Sequence, residues 1–500
     1  LGVLGIYNFL KNNIKINIPS KVNLAASSLV AFFMAPALMF AENWDDHDRS
    51  GRYTALEVAK NYLNSCDKNA ILFTNGDNDT FPLWYAQEVE GTRTDIKVVN
   101  LSLFNTDWYI DQMKRASYDA QPIPSSLQHE DYRSGTRDYT PIFEKTKDRV
   151  DVKQVVQFIN SNNPNRKIRT SGGLRNYCPT KKLKLEVNFE KKARDYTSNF
   201  MKSNKSSSVS DSIEIFQKIY TDTLAYFKSF IPKEYQNKIV SEIKWQLKGN
   251  GLYKNKLMVL DILANFNWER PIYFATTVGQ DNFMGLEKYF QLEGLTYRLV
   301  PYIAQSPDRQ PGVVHTEKMY QRLTKDFVWG GYNNPDTYFD ETNTRMVLNF
   351  RNSYSRLAES LMQKQDTARA VETLDKCVNE FSSKVVPFSY YAPFMIDIYL
   401  RAQQNDKAKN ILVEMIDRYV DEYKYLRAFA YNSGVNQNER IALQILGNLN
   451  QIISIHKLSN NKFNYSEKDG SYYMQKDDSE EEIDYQTFRI NTFVSEFLEL

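Results

Sequence analysis

Cysteine, histidine, glycine and proline are all scarce in this chain of 500 residues. The three cysteines, Cys66, Cys178 and Cys377, lie far apart, which excludes a disulfide framework and a paired-cysteine zinc site. The four histidines, His47, His129, His315 and His456, are equally scattered, and no HExxH is present. Sites built from thiolate or imidazole are thereby disfavoured, and neither a metal centre nor a cofactor is expected. With Gly 19 and Pro 16 the chain is neither collagen-like nor a Gly/Pro-rich disordered polymer. An excess of one charge is missing too: 63 Lys+Arg against 61 Asp+Glu leave +2, so no field gathers nucleic acid and no nucleic-acid partner is expected. A mean hydropathy of −0.55 excludes a chain made mostly of membrane spans, but an average does not exclude one span. What is abundant is aromatic: Tyr 33 and Phe 29 bring aromatics to 14%, enough for sizeable cores over roughly two to four domains.

One apolar run stands out. Val22 to Ala41, VNLAASSLVAFFMAPALMFA, carries no charge, and about twenty helical residues cross a hydrocarbon core of roughly 30 Å. Lys11, Lys15 and Lys21 precede it, and Glu42, Asp45, Asp46 and Asp48 follow it. The positive-inside rule then puts the N-terminal side in the cytoplasm and everything after about residue 41 outside. A signal peptide, with Ala35 and Ala37 before a cleavage site, and a buried core helix are the rival readings. Leu1–Leu10 is also apolar and reads as the end of an earlier span, so residues 1–41 are expected to close a membrane region as a hairpin.

Residues 42–328 read as one α/β region. A helical pattern over Tyr53–Ser65 leads to the short apolar run Ala70–Thr74, a helix over Phe81–Val89, the run Ile96–Leu103, and a helix over Thr106–Arg115. Strand, helix, strand with short links predicts a βαβ unit with a parallel pair and a right-handed crossover, a Rossmann-like layer. Its first turn reads NGDND rather than GxGxxG, so there is no case for a dinucleotide. Lys167–Val187 predicts a strand pair around Gly172–Gly173, Ile213–Leu247 predicts helices, and Pro271–Thr276 predicts a strand. The Ser-rich stretch near 201–212 reads as a flexible insertion. Residues 344–457 are helical throughout. Asp366, Ala368 and Val371 match Asp406, Ala408 and Ile411 at an offset of 40, which suggests two tetratricopeptide-like repeats with six extra residues near Val385–Tyr390. Residues 458–500 read as an acidic solvated tail, densest at Asp477–Asp484, and a terminal helix.

Two polar clusters are the candidates for chemistry. Asp45, Asp46, His47, Asp48, Arg49 and Arg52 lie just past the apolar run. They offer carboxylates, an imidazole and guanidiniums for phosphate, sugar or metal, or else form a salt-bridge collar that fixes the domain on its anchor. Asp77, Asn78 and Asp79 lie at the carboxyl end of the first strand, the edge where open α/β sheets bind ligands. Carboxylates there suit sugar hydroxyls or a hard cation, although Asp and Asn also end strands because they tolerate turns. Thr80 is a candidate cap for the following helix, with Pro82 in its first turn. Asp107 and Trp108 follow the second strand, where the indole offers a stacking face. No Ser-His-Asp set is recognisable, so no catalytic residue is assigned.

The same segments carry a resemblance. NWDDHDRSGRYTA, ILFTNGDNDTFPLWYAQEVEGTRTDIKVVNLSLFNTDWYI, NWERPIYFATT, FMGLEKYFQLEGLTYRLVP and the WGG…DETNTRMVLNFR region resemble the bacterial relatives of transmembrane protein 260. That family of membrane proteins is related to protein O-mannosyltransferases and common in Bacteroidetes. The resemblance implies a multi-span, GT-C type glycosyltransferase-like protein of the inner membrane. This chain would be its last span or two and its periplasmic part, positioning an acceptor protein or glycan. It also implies that the catalytic acid belongs to an early loop between N-terminal spans, so no family catalytic residue maps onto this sequence. The alternatives from the residues alone are a membrane-anchored envelope scaffold that binds proteins through its helical repeats, or a metal-dependent hydrolase-like domain using the acidic clusters.

Overall fold

The computed structural model describes residues 2–13, 19–47, 49–170, 173–187, 198, 209–303, 305–429, 437–459, 464–468, 470–476 and 479–497. Asp48, Gly172 and residues 201–208 of the Ser-rich stretch lie outside the described residues, as do the side chains of Asp45 and Asp46.

The N-terminal run is helical. α1 (Gly2–Asn13) packs against α2 (Ser20–Phe32), where the buried Asn23 donates to the Tyr7 carbonyl at 3.2 Å. Ser27, also buried, donates to the Asn23 carbonyl. Small polar residues at such a contact let two helices approach closely in an apolar medium. α2 continues through a π-helical turn (Phe33–Ala37) into α3 (Leu38–His47). The turn widens at Pro36, which has no N–H to give and whose ring displaces the preceding carbonyl. Ser20–Trp44 is the one helix among the described residues long and apolar enough to cross a membrane, and almost none of it is buried.

α4 (Thr54–Asn64) opens the α/β part. β1 (Ile71–Thr74), α5 (Asp77–Glu88) and β2 (Lys97–Asn100) follow, and β1 and β2 pair in parallel as the βαβ reading requires. α6 (Asp107–Met113) and α7 (Lys254–Ala264) precede β3 (Ile272–Ala275), which joins β1 in parallel from the other side. ILFT, KVVN and IYFA are buried at every position. That is the signature of strands covered on both faces. The sheet then changes direction. β4 (Phe290–Glu293) and β5 (Thr296–Leu299) form an antiparallel hairpin, and the edge strand β6 (Val313–Val314) pairs with β4, giving the order β6-β4-β5-β3-β1-β2. The parallel layer expected from sequence thus accounts for three of the six strands.

The reversal turns on Gly294, at φ +70. A Cβ there would come within 2.4 Å of Ser65 Oγ and 2.9 Å of the Phe327 ring. Gly294→Ala is expected to cost about 2–3 kcal/mol, the left-handed strain plus the forced shift of packed neighbours. A urea midpoint equal to the parent's would refute this.

Two other expectations are corrected. The helical reading of Ile213–Leu247 holds for the helix Val209–Phe230, but Glu242–Gln246 is a strand paired with Lys182–Glu186. Its EIKWQ alternation buries Ile243 and Trp245 on one face, a period of two rather than 3.6. The acidic run enters Ser479–Ile483, the third strand of an antiparallel meander with Asn464–Lys468 and Ser471–Lys476. Its carboxylates remain exposed along that strand.

α8 (Thr316–Gln321) leads to the helical part: α9 (Glu341–Gln363), α10 (Thr367–Glu380), α11 (Ala392–Arg401), α12 (Asn405–Phe429) and α13 (Gln437–His456), with α14 (Tyr485–Phe497) packed on α12 and α13. The α9–α10 and α11–α12 pairs do repeat, but not at 40. The link residues Gln365 and Gln403 both take positive φ, and 403 − 365 gives 38. Asp366 N bonds to Leu361 O as Gln404 N bonds to Tyr399 O. In this register buried Ala370 corresponds to buried Ala408, whereas Ala368 is exposed. The Asp366–Asp406 match was a coincidence of composition; the left-handed helix ends set the true register.

Candidate functional site

Two cavities of about 420 and 300 Å³ share Asn78, Asp79, Thr342 and Met346 and form one groove. It lies at the carboxyl ends of β1 and β3. The floor is the Asn75–Asp79 loop and Thr277, and the roof is the first two turns of α9, through Thr342, Asn343, Met346 and Asn349. Arg52, Thr54 and Phe81 complete the rim.

The loop is held from below. Asp79 accepts from Asn75 N at 3.2 Å, from Gly76 N at 2.8 Å and from Thr277 Oγ1 at 2.7 Å. Its carboxylate is therefore committed to the backbone, one half of a capping box at the start of α5. Sequence placed the cap at Thr80, but the helix begins at Asp77, and Thr80 sits inside it with its hydroxyl donating to Gly76 O at 2.6 Å. Asn100, from β2, donates to Thr80 Oγ1, and Asn282 donates to Asn75 Oδ1. These bonds leave Asp77 and Asn78 exposed, and among the described residues neither side chain has a hydrogen-bond partner.

The roof is fixed through the second cluster. Arg52 Nη2 bonds Asp340 Oδ2 at 2.5 Å, and Thr54 Oγ1 donates to Asn343 Oδ1 at 3.1 Å. Asp340 caps α9 by accepting from Asn343 N. Burial would raise the Asp340 carboxyl, but the Asn343 bonds and Arg52 outweigh it and hold it below the usual range. Arg52 Nη1 is buried with no partner. The groove offers a carboxylate, amides and hydroxyls, a set suited to a hydroxyl-bearing ligand.

The remaining sequence candidates fall elsewhere. His47 ends α3, exposed, with Nδ1 2.8 Å from Asn43 O, and does not line the groove. Arg49 is exposed in the turn that leads to Arg52. Asp107 accepts from the backbone N–H groups of Ser134 and Trp108, which lower its carboxyl below the usual range. Trp108 is exposed beside Tyr109, and neither Asp107 nor Trp108 lines the groove. Among the described residues no group of three His, Cys, Asp or Glu is arranged to hold a metal ion. Asp340, Asn343 and Thr277 were missed. The helix-cap spacing of Asp340 and Asn343 was readable, but nothing local in sequence says that this helix roofs a loop more than 250 residues earlier.

Comparison with curated proteins and with solved structures finds no match. A family model, TMEM260-associated domain 2, matches residues 55–228 and 218–318, the region holding α4, all six strands of the main sheet and the groove floor. Because the two segments together span more than half of the chain, the protein belongs to the family defined by TMEM260-associated domain 2.

Proposed function

We propose that this chain is the extracytoplasmic region of a membrane glycosyltransferase-like protein, related to the protein O-mannosyltransferases, and that its sheet-edge groove positions an acceptor protein or glycan. The family match and the apolar helix Ser20–Trp44, which ends shortly before α4, support a membrane protein whose bulk lies beside the bilayer. The observation that carries the reading is the pair Asp77 and Asn78, held out into the groove by a loop whose every other polar residue is bonded beneath it. Unpartnered amide and carboxylate groups on a rigid loop suit hydroxyl recognition, because little ordering is lost on binding. The commitment of Asp79 to Asn75, Gly76 and Thr277 favours this over a metal-dependent hydrolase.

The test is made in cells. Asp77→Ala with Asn78→Ala should lower glycosylation of extracytoplasmic acceptors about tenfold, the effect of losing one or two hydrogen bonds of about 1 kcal/mol each. Protein level and membrane fraction should not change. An unaltered glycoprotein profile by lectin blot and mass spectrometry would sink the proposal. A second reading, an envelope scaffold, draws support from the repeated α9–α10 and α11–α12 pairs. It predicts instead that partner capture, not glycosylation, depends on those helices.

A further inference from the structure

A further cavity lies away from the groove. It encloses about 530 Å³ between the helical part and the loop that follows the β4–β5 hairpin. That size falls in the range of sites for small organic ligands. Two corresponding helices of the repeated pairs each turn one stripe into it. From α9 come Asn352, Arg356, Glu359 and Gln363, and from α11 come Phe394, Asp397 and Arg401. Spacings of three and four keep each stripe on one helical face.

The charges in this cleft are already matched. Arg356 bonds Asp308 at 2.6 Å, Lys364 bonds Glu234 at 2.8 Å, and Arg401 bridges Asp397 and Glu359. A charged ligand would have to break a pair to gain one, so the cleft selects a neutral occupant. Its polar groups are planar and fixed. Arg356 is clamped by Asp308, the Pro311 and Gly312 carbonyls and Ser306, and Asn352 and Gln310 exchange reciprocal amide hydrogen bonds at 2.8 and 3.1 Å. On the same cavity wall Phe394 is 57% exposed, which leaves its ring available for contact. A ring face next to rigid amides and carboxylates matches a sugar, which has an apolar C–H face and a rim of hydroxyls. A peptide fits less well. Among the described residues the sheet edge at the cleft is β6, two residues long and packed against α9, too short for strand addition.

We infer that this cleft is a binding site for a neutral oligosaccharide, with Phe394 as the stacking platform and the Asn352–Gln310 pair as hydroxyl partner. It is separate from the sheet-edge groove and stands whether or not that groove positions an acceptor. The experiment is saturation-transfer NMR on the full chain in nanodiscs, with neutral trisaccharides of glucose, mannose, galactose and N-acetylglucosamine as probes. At least one should receive saturation. Its affinity should fall at least tenfold in Phe394→Ala and in Asn352→Ala, with unchanged thermal melts. Transfer to none of the four, retention of binding in both cleft variants, or displacement of the sugar by a Ser/Thr-rich peptide that binds more tightly would overturn the assignment.

Discussion

Replacing Glu293 by glutamine is expected to destabilise the α/β part by about 3–5 kcal/mol, the cost of breaking one partner out of a buried ion network. Glu293 ends β4 with no exposed surface. Lys318 reaches it at 3.0 Å and Arg322 at 3.3 Å; Tyr273 donates to it at 2.9 Å, and Gln291 donates as well. The same cations also meet Asp67, with Arg298 against it and against the Phe230 ring at 3.6 Å. Two carboxylates therefore hold three cations where strand, α8 and the end of α4 converge. Glutamine keeps the shape but leaves the buried Arg298 and the half-buried Lys318 and Arg322 facing Asp67 alone. Burial on its own would push both carboxyls up; the attraction of Lys318, Arg298 and Arg322 outweighs it for Glu293, and Arg298 and Lys318 do so for Asp67, so both sit below the usual range. Their stabilisation is complete above the ordinary carboxylate range, about pH 4, and is lost as pH falls from there towards the folded-state values. E293Q should melt on the order of 10 °C lower at pH 7, with a shallower further loss on acidification. A parent-like melt at pH 7 would show that the network carries no stability.

That network explains where the sequence stopped being readable. β1, β2 and β3 were legible because strands buried on both faces are mainly apolar, and the ILF, VV and IYFA runs within them are. FQLE and TYRL in β4 and β5 contain Gln, Glu and Arg at buried positions, tolerated because partners arrive from elsewhere: Lys318 of α8 for Glu293, Asp67 for Arg298, and Phe230 O and Tyr302 for Gln291. No local pattern reports such pairing. Gly294 was the one local signal, a glycine between two short runs, and it marks a hairpin.

The groove divides the same way. The Asn75–Asp79 loop was legible because a strand end at an open sheet edge is where side chains converge. The roles within it were not, since Asp77 and Asp79 look alike in sequence while one faces solvent and the other caps a helix. Arg52 was grouped with its neighbours in the chain, yet it acts with Asp340. Of that cluster, Arg52 thus serves as a fastening for α9.

The second large effect is expected at Arg351, inside the helical part. Its side chain is 1% exposed, and its N–H groups serve the carbonyls of Phe381 at 3.0 Å, Val386 at 2.6 Å and Pro387 at 2.8 Å. The guanidinium lies 4.8 Å from the Phe388 ring centre. These carbonyls belong to the long connection between α10 and α11, which includes the stretch that the sequence marked as an insertion. A connection of this kind carries backbone groups that no helix satisfies, and its burial requires an outside donor. Arg351 is that donor, and three bonds from one planar group define the path of the chain. Burial lowers its pKa, so the charge is held at a cost, and an apolar substitute would recover that cost. It would also strand three buried carbonyls at about 1–3 kcal/mol each. The carbonyl penalty is the larger, so Arg351→Met should lose about 3 kcal/mol. Arg351→Lys should lose less, because an ammonium reaches the same oxygens without the fork. The decisive comparison is between amide exchange across 381–391 and global unfolding. Faster exchange in R351M confined to that connection and to α11 supports the clamp, and parent-like exchange there rejects it.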